Sequence, residues 1–324
     1  MNILLLGSFG FIGTNIIKYI DLHCKDVSVV AFDRFPSHLD RNVTFKSVSK
    51  VYAGDFSDDY LLEKVFNENK IDYVIHSLSA SVPSSSQDNE FDIKFNVLPT
   101  IGLLNQMVAH GVKNLVFISS GGAIYGDHYI DKAGHIEEEV LFPKSAYGVS
   151  KLVIEKYLYL YGVQHGVKSL VLRLSNPYGP YHYSQKQGII NIALERAIEG
   201  NPFEIWGDGN GRKDYIYIED FCAILMKLIE EWEEQYTVVN VGSGQLLSVN
   251  DIVGVIKEKI NDSFVGTYKK ANSLDVQDFR LNLSKLSKLI GEFEYTSIEE
   301  GIEKTREWYK NRLVAGYLGV TKKI

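Results

Sequence analysis

A tyrosine and a lysine four residues apart, Tyr147 and Lys151, have the side chains and the spacing for acid–base chemistry on a hydroxyl group. On a helix, residues i and i+4 lie on one face, and Pro143 just upstream suits a helix start. A free phenol has a pKa of about 10, and a neighbouring ammonium favours the phenolate. We therefore expect Tyr147 to take or return a hydroxyl proton and Lys151 to lower its pKa. Taken alone, the spacing more commonly marks an exposed or core tyrosine on an ordinary amphipathic helix.

A glycine trio, Gly7, Gly10 and Gly13, follows an apolar run and opens a helical pattern. Glycines at these points permit a tight turn and a close approach to a pyrophosphate, which the helix N-terminus also attracts. Asp33 lies 20 residues past Gly13, at the end of the second strand-like run. A carboxylate there accepts hydrogen bonds from an adenosine ribose and repels a 2′-phosphate. The pattern predicts dinucleotide binding, with NAD preferred over NADP.

Two neighbouring features qualify this prediction. Arg34 follows Asp33 and keeps NADP open, although a solvated surface charge is the alternative. Gly54-Asp55-Phe56 comes after another strand-like run and is expected beside the adenine, with an ordinary turn as the alternative.

The elements that must position these residues alternate along the first half of the chain. Strand-like runs are Ile3–Leu6, Val27–Phe32, Tyr73–His76, Leu115–Ser119 and Ser169–Leu174. Helical patterns are Phe11–Ile20, Asp59–Asn67, Asn96–His110 and Ala146–His165. Runs without strict alternation indicate strands covered on both faces. We therefore predict an α/β fold with a Rossmann-like doubly wound parallel sheet and a smaller C-terminal α/β substrate lobe.

The regular alternation of strand-like and helical segments ends after Leu174, which suggests that a second unit of the chain begins there. We assign residues 1–175 to an NAD-binding domain, to which segments near 214–245 return. Residues 176–213 and 246–312 are expected to form the substrate lobe, and residues 313–324 a tail. A helix near Ile189–Glu199, a strand near Val238–Val241, a helix from about Val249 and a last helix at Glu299–Arg312 are predicted within this half.

Composition excludes several classes of function. The 324 residues carry a net charge of −7 and no Lys/Arg-rich run, so we expect no nucleic-acid partner. No apolar stretch approaches the ~20 residues of a membrane span, and the apolar N-terminus is typical of a buried strand rather than a signal peptide. Two isolated cysteines indicate neither a disulfide framework nor a metal site. A cytoplasmic protein without metal is expected.

In order and spacing, these and further motifs resemble the extended short-chain dehydrogenase/reductase family. Within that family, the chain resembles the NAD-dependent nucleotide-sugar epimerase/dehydratase branch and is UDP-hexose 4-epimerase-like. The resemblance covers Asn2 to about Arg306. Besides the glycine trio and Tyr147-x-x-x-Lys151, it rests on Ile71–His76, Asn96, Ser119-Ser120, Tyr125-Gly126, Arg173-x-x-Asn176-Pro177-Tyr178-Gly179-Pro180 and Asp214–Ile218-x-Asp220.

The resemblance implies roles for individual residues. Catalysis is expected from Tyr147, Lys151 and Ser120. The cofactor is expected to contact Gly7, Phe9, Gly10, Phe11, Ile12, Gly13, Asp33, Arg34, Asp55, Phe56, Leu78, Ser79, Ala80, Asn96, Ser119, Tyr147, Lys151 and Asn176. The substrate is expected to contact Ser81, Ser120, Gly121, Tyr147, Asn176, Gln187, Lys213 and Asp275, with the stretch 202–205 beside the base.

The chain departs from the family pattern in the turn that follows Ser119. The family has Ser or Thr four residues before the Tyr-Gly pair, where this chain has Gly121. Ser120 takes over that role if the turn is displaced by one residue, and otherwise caps a strand end. Dehydratases of the family place Asp-Glu next, where this chain has Gly122 and Ala123, which argues against 4,6-dehydration.

The two arginines that bind the substrate diphosphate in the family are replaced by other residues in this chain. The first corresponds to Lys213, which keeps the charge but not a bidentate fork. The second corresponds to Asn272.

Three functions follow from these residues. The first is NAD-dependent C4 epimerisation of a UDP-hexose or UDP-N-acetylhexosamine through a 4-keto intermediate. The second is NAD(P)H-dependent reduction of a dTDP- or GDP-4-keto-6-deoxyhexose, and the third is a non-catalytic NAD-binding sensor or scaffold. Apolar and tyrosine positions on the helices Asn96–His110 and Ala146–His165 predict a homodimer through a four-helix interface.

Overall fold

A seven-stranded parallel sheet forms the centre of the molecule, with strand order β10-β6-β5-β4-β1-β2-β3. The computed structural model describes residues 1–35, 44–81, 89–126, 133–185, 187–270 and 278–314. The order reverses between β1 and β4, so the edge where these strands end is the switch point at which doubly wound folds bind ligands. The Rossmann-like α/β fold predicted from the sequence is confirmed.

The strands that form this sheet are β1 (Asn2–Leu6), β2 (Ser28–Asp33), β3 (Val48–Ala53), β4 (Tyr73–His76), β5 (Asn114–Ser120), β6 (Lys168–Leu174) and β10 (Tyr236–Val241). The helices that accompany it are α1 (Phe11–His23), α2 (Asp59–Glu68), α3 (Asn89–Asp92), α4 (Leu98–Ala109), α5 (Gly121–Ile124), α6 (Ala146–His165) and α8 (Ile218–Glu231). A π-helical turn at Ile93–Val97 joins α3 to α4.

Burial on both faces of the sheet explains the unbroken apolar runs. Side chains of β1 alternate between two core clusters, with Ile3 and Leu5 in one and Leu4 and Leu6 in the other. All four are fully buried. Burying a Leu or Ile side chain contributes about 1.5–3 kcal/mol, so these short strands are stabilised mainly by the helices that cover them.

Helix α6, which carries Tyr147 and Lys151, has well-defined ends. The Ser145 hydroxyl accepts a hydrogen bond from the Gly148 N–H at 3.1 Å and caps the first turn. Gly166 ends the helix with a left-handed backbone (φ 69°), and its N–H donates to the Gly162 carbonyl. These caps satisfy backbone groups at both ends of the helix and define where it begins and ends.

The smaller lobe has its own core around buried Ile190, Phe203, Tyr217 and Ile252. Its strands are β7 (Asn176–Tyr178), β8 (Phe203–Trp206), β9 (Arg212–Tyr217), β11 (Leu246–Ser248), β12 (Gly266–Lys269) and β13 (Asp278–Phe279). Its helices are α7 (Ile189–Glu199), α9 (Val249–Lys259) and α11 (Ile298–Val314). Strand β9 pairs with β7, β11 and β13, and β8 pairs with β12.

Two segments connect the lobes. Of the chain near 214–245, β10 pairs with β6 in the large sheet, whereas β9 lies in the second sheet. Helix α10 (Ser284–Ile290) packs against α8 and β10, and its Leu286 and Ile290 belong to the core of the large domain. Residues 284–290 therefore pack on the domain of the large sheet, although they lie in the stretch 246–312 assigned to the lobe from the sequence.

Among the residues that the structure describes, no helix is long and apolar enough to cross a bilayer. A group of three or more His, Cys, Asp or Glu side chains that would suit a metal ion is likewise absent from the described ranges.

Candidate active site

The glycine turn between β1 and α1 lies at the switch point of the sheet. Gly7 has a left-handed backbone (φ +79°), and a Cβ on Gly13 would lie 2.1 Å from the Gly7 carbonyl oxygen. A Cβ on Gly10 would meet only that same oxygen, at 3.5 Å. The turn is therefore packed internally against its own backbone, while its Gly10 side is exposed and leaves room for a phosphate at the start of α1.

Asp33 is held at the end of β2 beside this turn. Its Oδ2 accepts a hydrogen bond from the Phe9 N–H at 2.8 Å, and its Oδ1 accepts one from the Phe35 N–H at 3.2 Å. The carboxylate remains partly exposed, with lone pairs left for the hydroxyls of an adenosine ribose. Arg34 pairs instead with Asp55 across the surface. This arrangement opposes a 2′-phosphate, because the carboxylate is fixed and the nearby cation is already engaged.

Asp55 and Phe56 differ in what they offer a ligand. Asp55 Oδ1 accepts hydrogen bonds from the N–H and hydroxyl of Ser57, at 2.9 and 2.7 Å. Phe56 is buried, with its ring against Phe32 and His76. The Phe56 side chain therefore belongs to the core, and only its backbone is left to face an adenine.

The loop that follows β4 is tied to the helix that follows it. Asn96, in the π-helical turn, accepts a hydrogen bond from the Ala80 N–H at 2.7 Å. The hydroxyl of Ser79 donates to the Ser81 carbonyl at 3.0 Å, and the Ser81 hydroxyl donates to Asp92. Leu78, earlier in the loop, packs partly against the core. Ser79 and Ala80 are exposed, so this ordered loop presents its backbone toward the switch point.

Tyr147 and Lys151 face the end of β5. Lys151 is buried, and its Nζ donates to the Ile118 carbonyl at 2.9 Å and lies 5.7 Å from the centroid of the Tyr147 ring. Burial lowers the pKa of Lys151 to about 8, opposed by the charges of Glu155 and Asp92. Tyr147 is hydrogen-bonded to Ser120, the last residue of β5.

Burial acts on the Tyr147 pKa in the direction opposite to the effect expected of Lys151. Burial raises this pKa to about 12, and the hydrogen bond from Ser120 opposes the rise. The desolvation of the phenol is the largest effect on this pKa in the protein alone. The chain by itself thus holds Tyr147 as a neutral phenol.

The turn after β5 decides which hydroxyl reaches Tyr147. Gly121 is buried, and a Cβ there would lie 3.0 Å from Leu281 Cδ1 and 3.2 Å from the Leu174 carbonyl oxygen. Position 121 therefore faces the protein interior rather than Tyr147. Ser120, and not Gly121, is the residue of this turn that is hydrogen-bonded to Tyr147.

A buried ion pair between Glu155 and Arg173 joins α6 to the neighbouring strands of the sheet. Glu155, one turn beyond Lys151, accepts from Arg173 Nη2 at 2.9 Å and from the Ser119 hydroxyl at 2.6 Å. Arg173 Nη1 donates to the Tyr125 hydroxyl at 3.0 Å and to the Glu137 carbonyl at 2.9 Å. Ser119 is thus a buried link between β5 and α6, and its hydroxyl is engaged by Glu155.

The predicted substrate residues lie along the border between the lobes. Asn176 is half-buried, and its Nδ2 donates to the Asp214 carbonyl at 2.8 Å. Lys213 is half-buried on β9, and Gln187 is exposed before α7. Residues 203–205 lie on β8, paired with β12. Asp275 and Asn272 lie outside the described residues.

The remaining residues predicted to contact the cofactor surround the glycine turn. Phe9 is buried in the core, and Ile12 packs partly against it. Phe11 meets the ring of His182 edge to face, with the centroids 4.6 Å apart.

The sequence reasoning passed over Asp92 and Glu155. Both are almost completely buried, and both act electrostatically on Lys151. A signal existed for Glu155, which lies four residues after Lys151 and so on the same helix face. Asp92 gave none, because it is joined to the site only by tertiary contacts.

Comparisons with known proteins were made on sequence and on structure. A family model described as the NAD dependent epimerase/dehydratase family matches residues 3–242. A putative UDP-glucose 4-epimerase of Methanocaldococcus jannaschii is 32% identical over 314 residues, which covers 95% of this chain and 98% of the relative. A dTDP-4-dehydro-6-deoxyglucose reductase of Escherichia coli is 27% identical over 312 residues, with 93% and 95% covered. The crystal structure of a UDP-glucose 4-epimerase with UDP-glucose from Thermotoga maritima has a TM-score of 0.87 and 30% identity, with 97% of this chain and 100% of that chain covered.

Proposed function

Because the chain belongs to the NAD-dependent epimerase/dehydratase family, whose cofactor is NAD, we propose that it inverts C4 of a UDP-linked hexose or N-acetylhexosamine through a 4-keto intermediate. The observation that carries this proposal is the arrangement of Ser120, Tyr147 and Lys151. The two hydroxyls are hydrogen-bonded, and the ammonium lies one helical turn away on the same face.

The residues at the switch point fit NAD. The glycine turn would hold the pyrophosphate, the Asp33 carboxylate would hold the adenosine ribose, and the loop 78–81 with Lys151 would hold the nicotinamide side. When bound, NAD supplies a hydride acceptor and donor and a positive charge on its nicotinamide ring.

The side chains of the protein move the proton and orient the sugar. Ser120 hydrogen-bonds to the C4 hydroxyl and to Tyr147, which sets the distance between them. Tyr147 takes the hydroxyl proton as C4 is oxidised to a ketone and returns it to the oxygen after C4 is reduced on its opposite face. Lys151 is held by the Ile118 carbonyl, and its charge favours the phenolate during that exchange.

Dehydration is disfavoured by the residues of the turn after β5. Elimination of water needs an acid and a base in addition to Tyr147, and the positions that follow in the dehydratase pattern are Gly122 and Ala123. Neither of these residues carries a carboxyl group, so neither can serve as the additional acid or base.

Reduction of a dTDP- or GDP-4-keto-6-deoxy sugar is the second candidate. The E. coli reductase at 27% identity favours it, and the same Tyr147 and Lys151 would serve. Such a reductase releases its oxidised cofactor at every turnover, whereas an epimerase regenerates it. The Asp33 carboxylate also opposes NADPH, which favours epimerisation.

The separating experiment follows the sugar by NMR. Purified protein is incubated with UDP-glucose, UDP-galactose and their N-acetylhexosamine counterparts, with no cofactor added. The proposal expects a C4 epimer to form. A Tyr147→Phe variant should lose this turnover while it keeps bound NAD, whereas a non-catalytic NAD sensor would be indifferent to the change.

We further propose that two copies associate through α4 and α6. These helices pack together and expose apolar side chains outward, with Leu98, Val149 and Val163 exposed by 57, 45 and 68%. Val149, Leu160 and Val163 recur at helical spacing, which gives α6 an apolar stripe suited to a two-fold contact. Sedimentation of wild type and Val163→Glu tests this, with a dimer and a monomer as the expected species.

A further inference from the structure

The loop 179–183 lies between the two lobes and has no role in the chemistry proposed above. Strand β7 begins two residues after β6 ends, and this loop follows β7 directly. On the side of the smaller lobe, the buried Asn191 of α7 donates to the Gly179 carbonyl at 2.7 Å and accepts from the Gly179 N–H at 3.1 Å. Trp308 of α11 packs on the ring of Tyr181, with the centroids 5.3 Å apart. The loop is therefore attached firmly to the smaller lobe.

On its other side, the loop contacts one face of α1. Asn15 Nδ2 donates to the Pro180 carbonyl at 2.9 Å. Lys18 Nζ donates to the Tyr181 hydroxyl at 3.0 Å and lies 4.8 Å from the centroid of the same ring. Lys18 and Tyr181 are both half-buried, so their hydrogen bond is partly shielded from water. Helix α1 belongs to the large domain, and these contacts therefore join the two lobes.

A third contact lies at the first residue of α1. The Phe11 ring meets the His182 ring edge to face, with the centroids 4.6 Å apart. Burial lowers the pKa of His182 to about 4, so the ring packs there as a neutral aromatic group. Phe11 lies four residues before Asn15 and seven before Lys18, on the same helix face. Its N–H belongs to the unpaired groups at the start of the helix that would hold the pyrophosphate of NAD.

Two adjacent residues of the loop carry a conformational cost. Tyr181 has a left-handed backbone (φ 66°), which is strained for a bulky side chain. The Nδ1 atom of His182 is buried, and no group among the described residues is hydrogen-bonded to it. Such features persist only where surrounding contacts hold them, and they concentrate at functional sites. Here the contacts with Lys18, Phe11 and Trp308 surround the two residues.

We propose that the loop 179–183 is an interlobe latch that retains NAD. Lys18 holds Tyr181, and the His182 ring is thereby kept against Phe11 at the edge of the crevice in which doubly wound folds bind ligands. The loop is fixed to the smaller lobe by buried hydrogen bonds, so its contacts with α1 are the ones that break when the lobes part. Release of NAD then requires that these contacts break. The inference rests on the proposed placement of NAD at the glycine turn but not on which sugar is converted.

The test measures how fast the dinucleotide leaves the protein. Protein loaded with NADH is mixed with a large excess of NAD, and the fall in NADH fluorescence gives the dissociation rate. Lys18→Met should raise this rate about five- to tenfold, since it removes both the hydrogen bond and the cation beside the Tyr181 ring. Tyr181→Phe, which removes only the hydrogen bond, should raise the rate about threefold.

Further variants separate a latch from a general loss of positive charge. Lys18→Arg keeps a cation and a donor and should stay near the wild-type rate. Lys25→Met removes an exposed charge just beyond the same helix and should change nothing. Adding Tyr181→Phe to Lys18→Met should have no further effect, because the hydrogen bond is already lost. An equal effect of Tyr181→Phe in the presence and absence of Lys18 would overturn the latch.

Asp33→Asn shows whether the dinucleotide occupies the proposed place. Because the Asp33 carboxylate would hold the adenosine ribose, this variant should also release NADH faster than the wild type. Faster release from Asp33→Asn alone, with Lys18→Met and Tyr181→Phe at the wild-type rate, would overturn the latch and keep the placement of NAD. Wild-type rates in all three variants would overturn the placement as well.

Discussion

Removing the Glu155 carboxylate should destabilise the protein far more than removing an exposed carboxylate with an equally close partner. Glu155 and Arg173 are 1 and 3% exposed, and Arg173 Nη2 lies 2.9 Å from Glu155 Oε2. In Glu155→Ala, the guanidinium and the Ser119 hydroxyl lose their acceptor in the interior. Breaking a buried pair in this way costs about 3–5 kcal/mol, because one charge is left uncompensated.

A matched surface pair supplies the control. Arg306 Nη1 lies 2.7 Å from Glu303 Oε1, but the two side chains are 24 and 45% exposed. Exposed pairs contribute about 0–1 kcal/mol, so Glu303→Ala should have little effect. Distance alone would rank the two pairs in the opposite order, and burial decides the prediction.

The assay is equilibrium unfolding in urea followed by circular dichroism. For a slope near 3 kcal/mol per molar, Glu155→Ala should lower the midpoint by about 1–2 M, and Glu303→Ala by no more than about 0.3 M. Glu155→Gln, which keeps an oxygen acceptor, should fall between them. Equal midpoints for the two alanine variants would refute the reasoning that burial of the pair governs its contribution.

Three further predictions concern the site. Ser120→Ala should lower kcat by about 10²-fold. Adding Gly121→Ser should not restore kcat, because position 121 faces Leu281, and recovery of kcat in the double variant would contradict the displaced turn. Asp33→Asn keeps an acceptor for the Phe9 N–H but removes the charge. The preference for NAD over NADP in binding titrations should therefore fall about tenfold, and an unchanged ratio of the two affinities would count against the role of the carboxylate. Activity should decline as the pH rises through about 8, where Lys151 loses its proton, and Lys151→Arg should move that decline to higher pH in initial-rate measurements.

The large sheet could be predicted from the sequence because its strands are covered on both faces. Apolar runs such as Ile3–Leu6 and Tyr73–His76 are visible without knowledge of their neighbours, and the structure has strands at both. Strand β3 was not delimited, since Val48–Ala53 is mostly exposed at the sheet edge and carries a weak apolar pattern. The strands β8, β12 and β13 have two to four residues each and exist through long-range pairing that no local signal reveals.

The site was predictable to the extent that its chemistry is local. Tyr147 and Lys151 share a helix face, and the glycine turn lies within seven residues, so spacing alone indicated both. The protonation of Tyr147 was not predictable, because it depends on burial beneath elements distant in sequence. Asp92 acts through tertiary packing of α3 on α6 and was missed for the same reason.

The most direct test of the account is NMR of purified protein with UDP-hexoses and UDP-N-acetylhexosamines in the absence of added cofactor. The account predicts that a C4 epimer appears, that its formation is lost in Tyr147→Phe, and that it needs no net supply of NAD. If these sugars stay unchanged, while a 4-keto-6-deoxy sugar is reduced only when NAD(P)H is supplied, the epimerase proposal is contradicted and the reductase remains.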